Sequence, residues 1–453
     1  MMSKTMRTFS RIGRGTAAAV RRNPRSILWI VVAAGVVGFL VALEIAARHY
    51  GDAGPVTNQA REVVLAPDSG PLLYAGLALM MVVLTWRQRF WTAGLAVGID
   101  VVFWLVRLAV GADMNFGNGA MWVIIGWVVV ALTRRTGNER MLLLKGAGLG
   151  MLLIAGHKTG DTWLLITSKT RPDVLDPYVA TADHALGDPS WLVGQAVDAS
   201  GPVGTHLLNG VYGQLPLAAA LIALYQLRNV ATERRFPAHH MVRTFLTIGL
   251  LGPAVYMIFP VVGPVFAYGA DGGQWAVANV WPDVVPAIGT PHPIPFDEIT
   301  PRNCMPSLHT AWATTLFIHS RHGSRFFRIA GGFWLVATLT ATLGFGYHYG
   351  ADLLAGAVFA LTVEAAMRSF ARGWDLSSYR LIGYGSVVFV ALLVSYRFIP
   401  VQMADHPWVF GPLLVLLTAS VVYLYMRTTK AWEQPDEPAA PVERQESQQL
   451  LPA

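Results

Sequence analysis

Residues 329–347, IAGGFWLVATLTATLGFGY, contain no charged side chain, and residues 350–368, GADLLAGAVFALTVEAAMR, follow after only His348 and Tyr349. A bilayer core about 30 Å thick takes about 20 apolar residues of helix. Each stretch therefore reads as one membrane span, and the short polar joint between them as a turn at one surface. Working outward, ten more such runs lie near 27–48, 71–86, 90–110, 119–133, 141–157, 208–227, 242–262, 306–320, 381–399 and 407–426. The expected fold is an all-α integral membrane protein with about twelve transmembrane helices. Composition agrees: of 453 residues, 54% are hydrophobic and only 13% are charged, against about 25% charged in soluble domains. Cys304 is the only cysteine, so no intrachain disulfide can form. The net charge of +7 would suit nucleic acid, but 29 of the 34 basic residues are Arg, mostly in short clusters between apolar runs. That is a membrane pattern, and no nucleic-acid partner is expected.

The basic residues also give an orientation, because Lys and Arg collect on the cytoplasmic side of a membrane. With the N-terminus inside, twenty-five of them fall in inner connections, among them Arg87 and Arg89, Arg228 and Arg234, and Arg321 and Arg325, against seven outside. Both termini are expected in the cytoplasm. The first span is too long for the apolar core of a signal peptide and reads as a retained anchor. The chain then divides into a basic cytoplasmic tail (1–26), N-terminal helices (27–140), a central unit (141–369), C-terminal helices (370–430) and a disordered cytoplasmic tail (431–453) rich in Pro, Glu and Gln. Two outer connections of the central unit, 158–207 and 263–305, are long and rich in Gly, Pro, Asp and Trp, and loops of that length are usually functional.

Chemistry concentrates at two places on the expected outer side. Arg302-Asn303-Cys304-Met305-Pro306-Ser307-Leu308-His309 leads straight into a span. Pro and Ser start helices, so the first turn should present free N–H groups and a positive dipole end, a setting that binds phosphate. Arg302 adds a planar donor fork, and His309 can carry a proton. The second place is Gly346-Tyr347-His348-Tyr349-Gly350-Ala351-Asp352; if this segment is helical, His348 and Asp352, four residues apart, share a face. The carboxylate can hold one ring N–H and leave the other nitrogen as a base or nucleophile. His157/Asp161 and His184/Asp188 have the same spacing, so placement at membrane depth is what distinguishes His348/Asp352. Two histidines and one aspartate suffice to move a phosphoryl group: His348 attacks phosphorus, Asp352 orients it, and His309 protonates the leaving oxygen.

At these residues the chain resembles the type 2 phosphatidic acid phosphatase superfamily, and within it the inositol phosphorylceramide synthase and inositolphosphotransferase-like branch. Pro306-Ser307-Leu308-His309 matches the second family motif and His348-Tyr349-Gly350-Ala351-Asp352 the third; Phe259-Pro260-Val261-Val262-Gly263-Pro264 also looks like this branch. The resemblance implies a six-helix catalytic core within 141–369 and an active site at the outer leaflet. The phosphatase members carry a basic first motif and a Ser-Arg before the third-motif His; positions 341 and 342 are Ala and Thr here, which fits the transferase branch. Phosphate ligands would then come from Arg302, with Asn303, Ser307 and Tyr347 lining the site and Lys158, Lys169 and Arg171 as further candidates.

The remaining readings are plainer. Asp100 and Arg107 lie on one face of the third span and are expected to pair with each other. Cys304 is expected to be inert packing, and Glu364, about three turns below Asp352, to take no part in catalysis. Trp275, Trp281, Tyr347 and Tyr349 read as an interfacial aromatic belt. No group of His, Asp and Glu has spacing suited to a metal, so no metal and no cofactor is expected. The sequence thus predicts a lipid phosphotransferase moving a phosphoryl or inositol-phosphoryl headgroup at the outer face of a bacterial plasma membrane, with a phospholipid substrate and a lipid or alcohol acceptor. The alternatives are a lipid phosphate phosphatase of the same superfamily and a twelve-span transporter. A transporter should instead gather polar groups at broken helices near the midplane.

Overall fold

A chain in hydrocarbon must satisfy its own N–H and C=O groups, so apolar sequence becomes helix, and caps and prolines set the ends. The structure is a computed structural model and describes residues 24–269, 281, 284–297 and 299–433. α1 (Pro24–His49), α2 (Pro55–Val64) and α3 (Gly70–Met81) lead to α4 (Trp86–Val110). Thr85 and Gln88 form a reciprocal capping box at the start of α4, and Gly111, at φ 69°, ends it. α5 (Asn118–Arg134) follows, then α6 (Gly137–Thr170), which runs for 34 residues and stops just short of Pro172.

The next segment stays at one end of the bundle: β1 (Asp173–Val174), α7 (Asp176–Asp183), a 3₁₀ turn (His184–Leu186), α8 (Pro189–Ala199) and α9 (Gly201–Gly213). The chain crosses through α10 (Leu215–Gln226) and the short α11 (Val230–Glu233), and returns through α12 (Met241–Ile258) to α13 (Pro264–Tyr268). β2 (Ile294–Pro295) pairs antiparallel with β1 and ties this loop to the end of α6. α14 (Leu308–Ser320), α15 (Arg325–Gly344), α16 (Gly350–Arg372), α17 (Leu376–Phe398), α18 (Pro400–Asp405) and α19 (Pro407–Glu433) complete the described chain.

Two apolar cores hold these helices. One packs α3, α5 and α6 against α10, α12 and α14, with Leu77, Met80, Ile124 and Ile154 fully buried. There α3 and α6 cross backbone to backbone at Gly76 and Gly150, where a Cβ on Gly150 would stand 2.3 Å from the Gly76 carbonyl oxygen. The other core packs α7 and α8 against α16, α17 and α19 through Tyr349, Ala351, Val358 and Tyr396. α16 is the central helix: 72% of its most apolar window is buried, against at most 39% for any other long apolar helix.

Among the described residues, nine helical segments are long and apolar enough to cross a membrane, in keeping with an all-α membrane protein. The other three of the twelve expected spans, 71–86, 119–133 and 306–320, form the shorter α3, α5 and α14. The expected outer loop beginning at residue 158 is also corrected, because no Gly or Pro breaks α6 between Asp161 and Thr170. Asp100 and Arg107 do not pair. Asp100 accepts from Tyr74 Oη (2.7 Å) and from the Gly117 and Gly119 N–H groups, while Arg107 donates to the Leu65 and Asn115 carbonyls and to Asn118 Oδ1. Asp100 holds the turn between α4 and α5, and Arg107 ties that turn to the end of α2. The expected tails, apart from residues 24–26 and 431–433, and Trp275 lie outside the described residues.

Candidate active site

The site is built where three chain turns meet at one end of α16. Ser307 caps α14, its Oγ accepting from Thr310 N at 3.2 Å, so His309 sits in the first turn. The turn between α15 and α16 carries Tyr347, His348 and Tyr349, and Asp352 stands in the first turn of α16. The third turn, Phe259 to Gly263, lies between α12 and α13. Gly263 has φ +106°, and a Cβ there would meet the Tyr347 carbonyl oxygen at 2.3 Å, so only glycine allows the two turns to touch. Cys304 N donates to the Val261 carbonyl (3.0 Å) and Ser307 N to the Asp352 carbonyl (3.3 Å), locking the three turns together.

The side chains converge as the motifs imply. His348 Nδ1 lies 3.3 Å from Asp352 Oδ2, and His309 faces His348 edge-on with ring centroids 6.4 Å apart. Asp352 is fully buried. Its Oδ2 also accepts from Tyr349 N (2.9 Å) and from the Cys304 thiol, while Oδ1 has no hydrogen-bond partner among the described residues. With its Nδ1 proton held by Asp352, His348 keeps its lone pair on Nε2. A cavity of about 300 Å³ opens beside His348, lined among others by Tyr212, Phe266, Thr300, Asn303 and Tyr347. Tyr212, from α9, stacks on the His309 ring at 4.1 Å and fixes its plane.

Residues 178–366 match the PAP2 superfamily. The match holds His309, His348 and Asp352, and a PAP2 domain suggests a lipid phosphatase or phosphotransferase type of activity. Residues 27–166 match a domain of unknown function. No curated protein and no solved structure matches the chain.

Several residues expected to bind substrate stand away from the cavity, within the matched residues 178–366 or before them. Arg302 is fully buried and donates to the carbonyls of Arg171 (3.0 Å), Thr300 (2.5 Å) and Asp297, so its fork folds the loop before α14. Ser307 serves as the cap of α14 rather than as a free hydroxyl. Lys158, inside α6, pairs with Glu62 at 2.7 Å and donates to Ser69; Lys169 pairs with Asp52 at 2.6 Å. Arg171 ends α6 and is exposed. Asn303 and Tyr347 do line the cavity. Tyr349 and Trp281 are buried, the latter against Trp191, and form no aromatic belt.

Two aspartates of α7, absent from the motif reading, frame the site. The buried Asp183 carboxylate accepts from Gly350 N (3.2 Å) and Ala351 N (2.8 Å), so it caps α16 from a distant part of the chain. Asp176, two turns earlier on the same face of α7, accepts from Val262 N, Gly263 N and Tyr349 Oη. Ser190 Oγ donates to the His348 carbonyl. Only the spacing of Asp176 and Asp183 on one helix hinted at this, and spacing says nothing about partners.

Among the described residues, two groups of three lie close enough to share a metal ion: Cys304, His348 and Asp352, and, at the other end of α14 and α16, His239, His319 and Glu364. In the first, thiol and imidazole both donate to one carboxylate oxygen. In the second, Gln226 Oε1 accepts from Met241 N, which aims its amide NH₂ at His319 Nδ1 (2.8 Å). His319 Nδ1 is then an acceptor and Nε2 keeps its proton, facing Glu364 Oε1 at 3.2 Å. Arg368 Nε, 3.0 Å from the same oxygen, adds positive charge where a metal would sit. Both features disfavour a metal there.

Proposed function

We propose that the protein transfers a phosphoryl or phosphorylated headgroup from a lipid phosphate ester through a phosphohistidine at His348. Nε2 attacks phosphorus, the bond from phosphorus to the leaving oxygen breaks, and His309 gives that oxygen a proton. An acceptor hydroxyl then loses its proton to His309 and attacks phosphorus, releasing His348. Asp352 holds the Nδ1 proton throughout and balances the ring's positive charge. The observation that carries this reading is the meeting of His309 with the His348–Asp352 pair beside a cavity large enough for a phosphorylated headgroup.

Transfer to an alcohol is favoured over hydrolysis by the cavity wall, where, among the described residues, the Asn209 and Asn303 amides and the Thr300 and Tyr212 hydroxyls stand between apolar Phe266, Ile299 and Pro301 with no lysine or arginine. Its few polar groups can hydrogen-bond the hydroxyl of an acceptor alcohol, and its apolar side chains can hold the rest of that molecule. Inositol phosphate is the headgroup that the family resemblance favours, and the outer leaflet of the plasma membrane is the expected place. The test is to incubate the full chain, reconstituted in bilayers, with phosphatidylinositol and phosphatidic acid labelled in their phosphates. Label moving to a new lipid supports transfer; label released as free phosphate makes the enzyme a phosphatase; neither product removes the reading.

A further inference from the structure

The second large cavity, about 350 Å³, lies at the opposite end of the molecule from His348. Arg228 on its rim is two residues beyond Gln226, which holds His319 at the far end of α14. Its walls come from both sequence regions identified above: Ala78 and Met81 of α3 and Ala93 of α4 on one side, Leu224 of α10 on the other. Two arginines stand at the rim. Arg89 donates Nε to the Met81 carbonyl (3.0 Å) and Nη2 to the Val82 carbonyl (3.2 Å) and lies over the Trp86 ring. Arg228 donates Nη1 to the Tyr225 carbonyl and lies over the Tyr225 ring at 4.0 Å. Carbonyls and ring faces orient both guanidinium groups, and neither enters an ion pair among the described residues. Trp86 and Phe90, at 71% and 74% exposure, flank the opening on the first turns of α4.

Apolar walls between helices, two cations without carboxylate partners, and exposed aromatics at a helix start all belong to the level where lipid headgroups meet acyl chains. We infer that this cavity binds an anionic phospholipid, its phosphate between Arg89 and Arg228 and the start of an acyl chain along Ala78, Ala93 and Leu224. A zwitterionic phosphocholine headgroup would bring its own cation towards both arginines, and a soluble phosphate would leave the apolar wall exposed to water. The lipid would join the N-terminal helices to the PAP2 domain, independently of any turnover at His348.

The experiment reconstitutes the full chain in bilayers of phosphatidylcholine containing a tenth of phosphatidylglycerol and weighs the protein with its retained lipid by native mass spectrometry. The ratio of phosphatidylglycerol to phosphatidylcholine in the retained lipid should exceed the bulk ratio by about 30-fold, the factor for two basic side chains facing one anionic headgroup. Arg89→Gln with Arg228→Gln should return the retained lipid to the bulk ratio. Because Arg89 also ties the end of α3, Ala93→Trp provides a second variant that fills the cavity and leaves both guanidinium groups in place; it too should release the lipid. Retention at the bulk ratio by the wild type, or undiminished enrichment in Ala93→Trp, overturns the proposal.

Discussion

The same two helices, α14 and α16, carry a histidine–carboxylate cluster near each end, and the two clusters are wired in opposite ways. At one end, Asp352 leaves Oδ1 without a partner and holds His348 beside an open cavity. At the other, Glu364 Oε2 accepts from Thr244, and Oε1 from His239 at 2.9 Å and Arg368 at 3.0 Å, with His319 close by. Helices α12 and α16 and the connection before α12 all bond to that one carboxylate. A carboxylate with both oxygens engaged fixes helices in place; one with an unpartnered oxygen and a histidine at a cavity retains the freedom to take part in proton and phosphoryl transfer. Burial alone does not tell them apart, since both acids are completely buried.

The sharpest way to break this contrast is His348→Ala. Loss of the nucleophile should lower turnover by about 10⁴ to 10⁶ while the purified variant keeps the helical content and melting profile of the wild type. A variant that turns over normally would remove His348 from the mechanism. His309→Ala should cost about 10² to 10⁴ in rate with an alkyl leaving group, the usual worth of a positioned acid. With an aryl phosphate, whose leaving oxygen needs no proton, the loss should shrink, and rates measured on both substrates check the role assigned to His309. Glu364→Gln should do the reverse of His348→Ala. It should lower unfolding stability by about 3 to 5 kcal/mol, as removal of one partner from a buried charged network does, and leave the rate per folded molecule within a few-fold of wild type. A folded, stable Glu364→Gln protein without activity would place the opposite cluster in the chemistry and erase the distinction.

The three His–Asp pairs at four-residue spacing show what motif reading can do. His157/Asp161, His184/Asp188 and His348/Asp352 all approach within 3.3 Å, the first along α6, the second across the 3₁₀ turn and Gly187, the third across the start of α16. They differ in burial: Asp161 has a half-exposed side chain, Asp188 is 20% exposed and Asp352 is sealed. Placement between two apolar runs singled out the third pair, because local sequence reports hydropathy as well as spacing. The cations were harder. Arg302, Lys158 and Lys169 were legible as charges near the right loops, yet each has a partner remote in the chain, Arg171, Glu62 and Asp52 respectively.

The sequence by itself determined that the chain is helical and apolar enough for a membrane, and which histidines and aspartate carry the motifs. Those properties follow from hydropathy and a repeat of 3.6 residues, which act over neighbours in the chain. Only the tertiary structure decided that His309 faces His348, that Asp183 caps a helix 167 residues away, and that Arg302 turns towards carbonyls instead of the cavity. Buried polar groups take whichever partner the packed helices bring within 3 Å, and no local pattern encodes that choice.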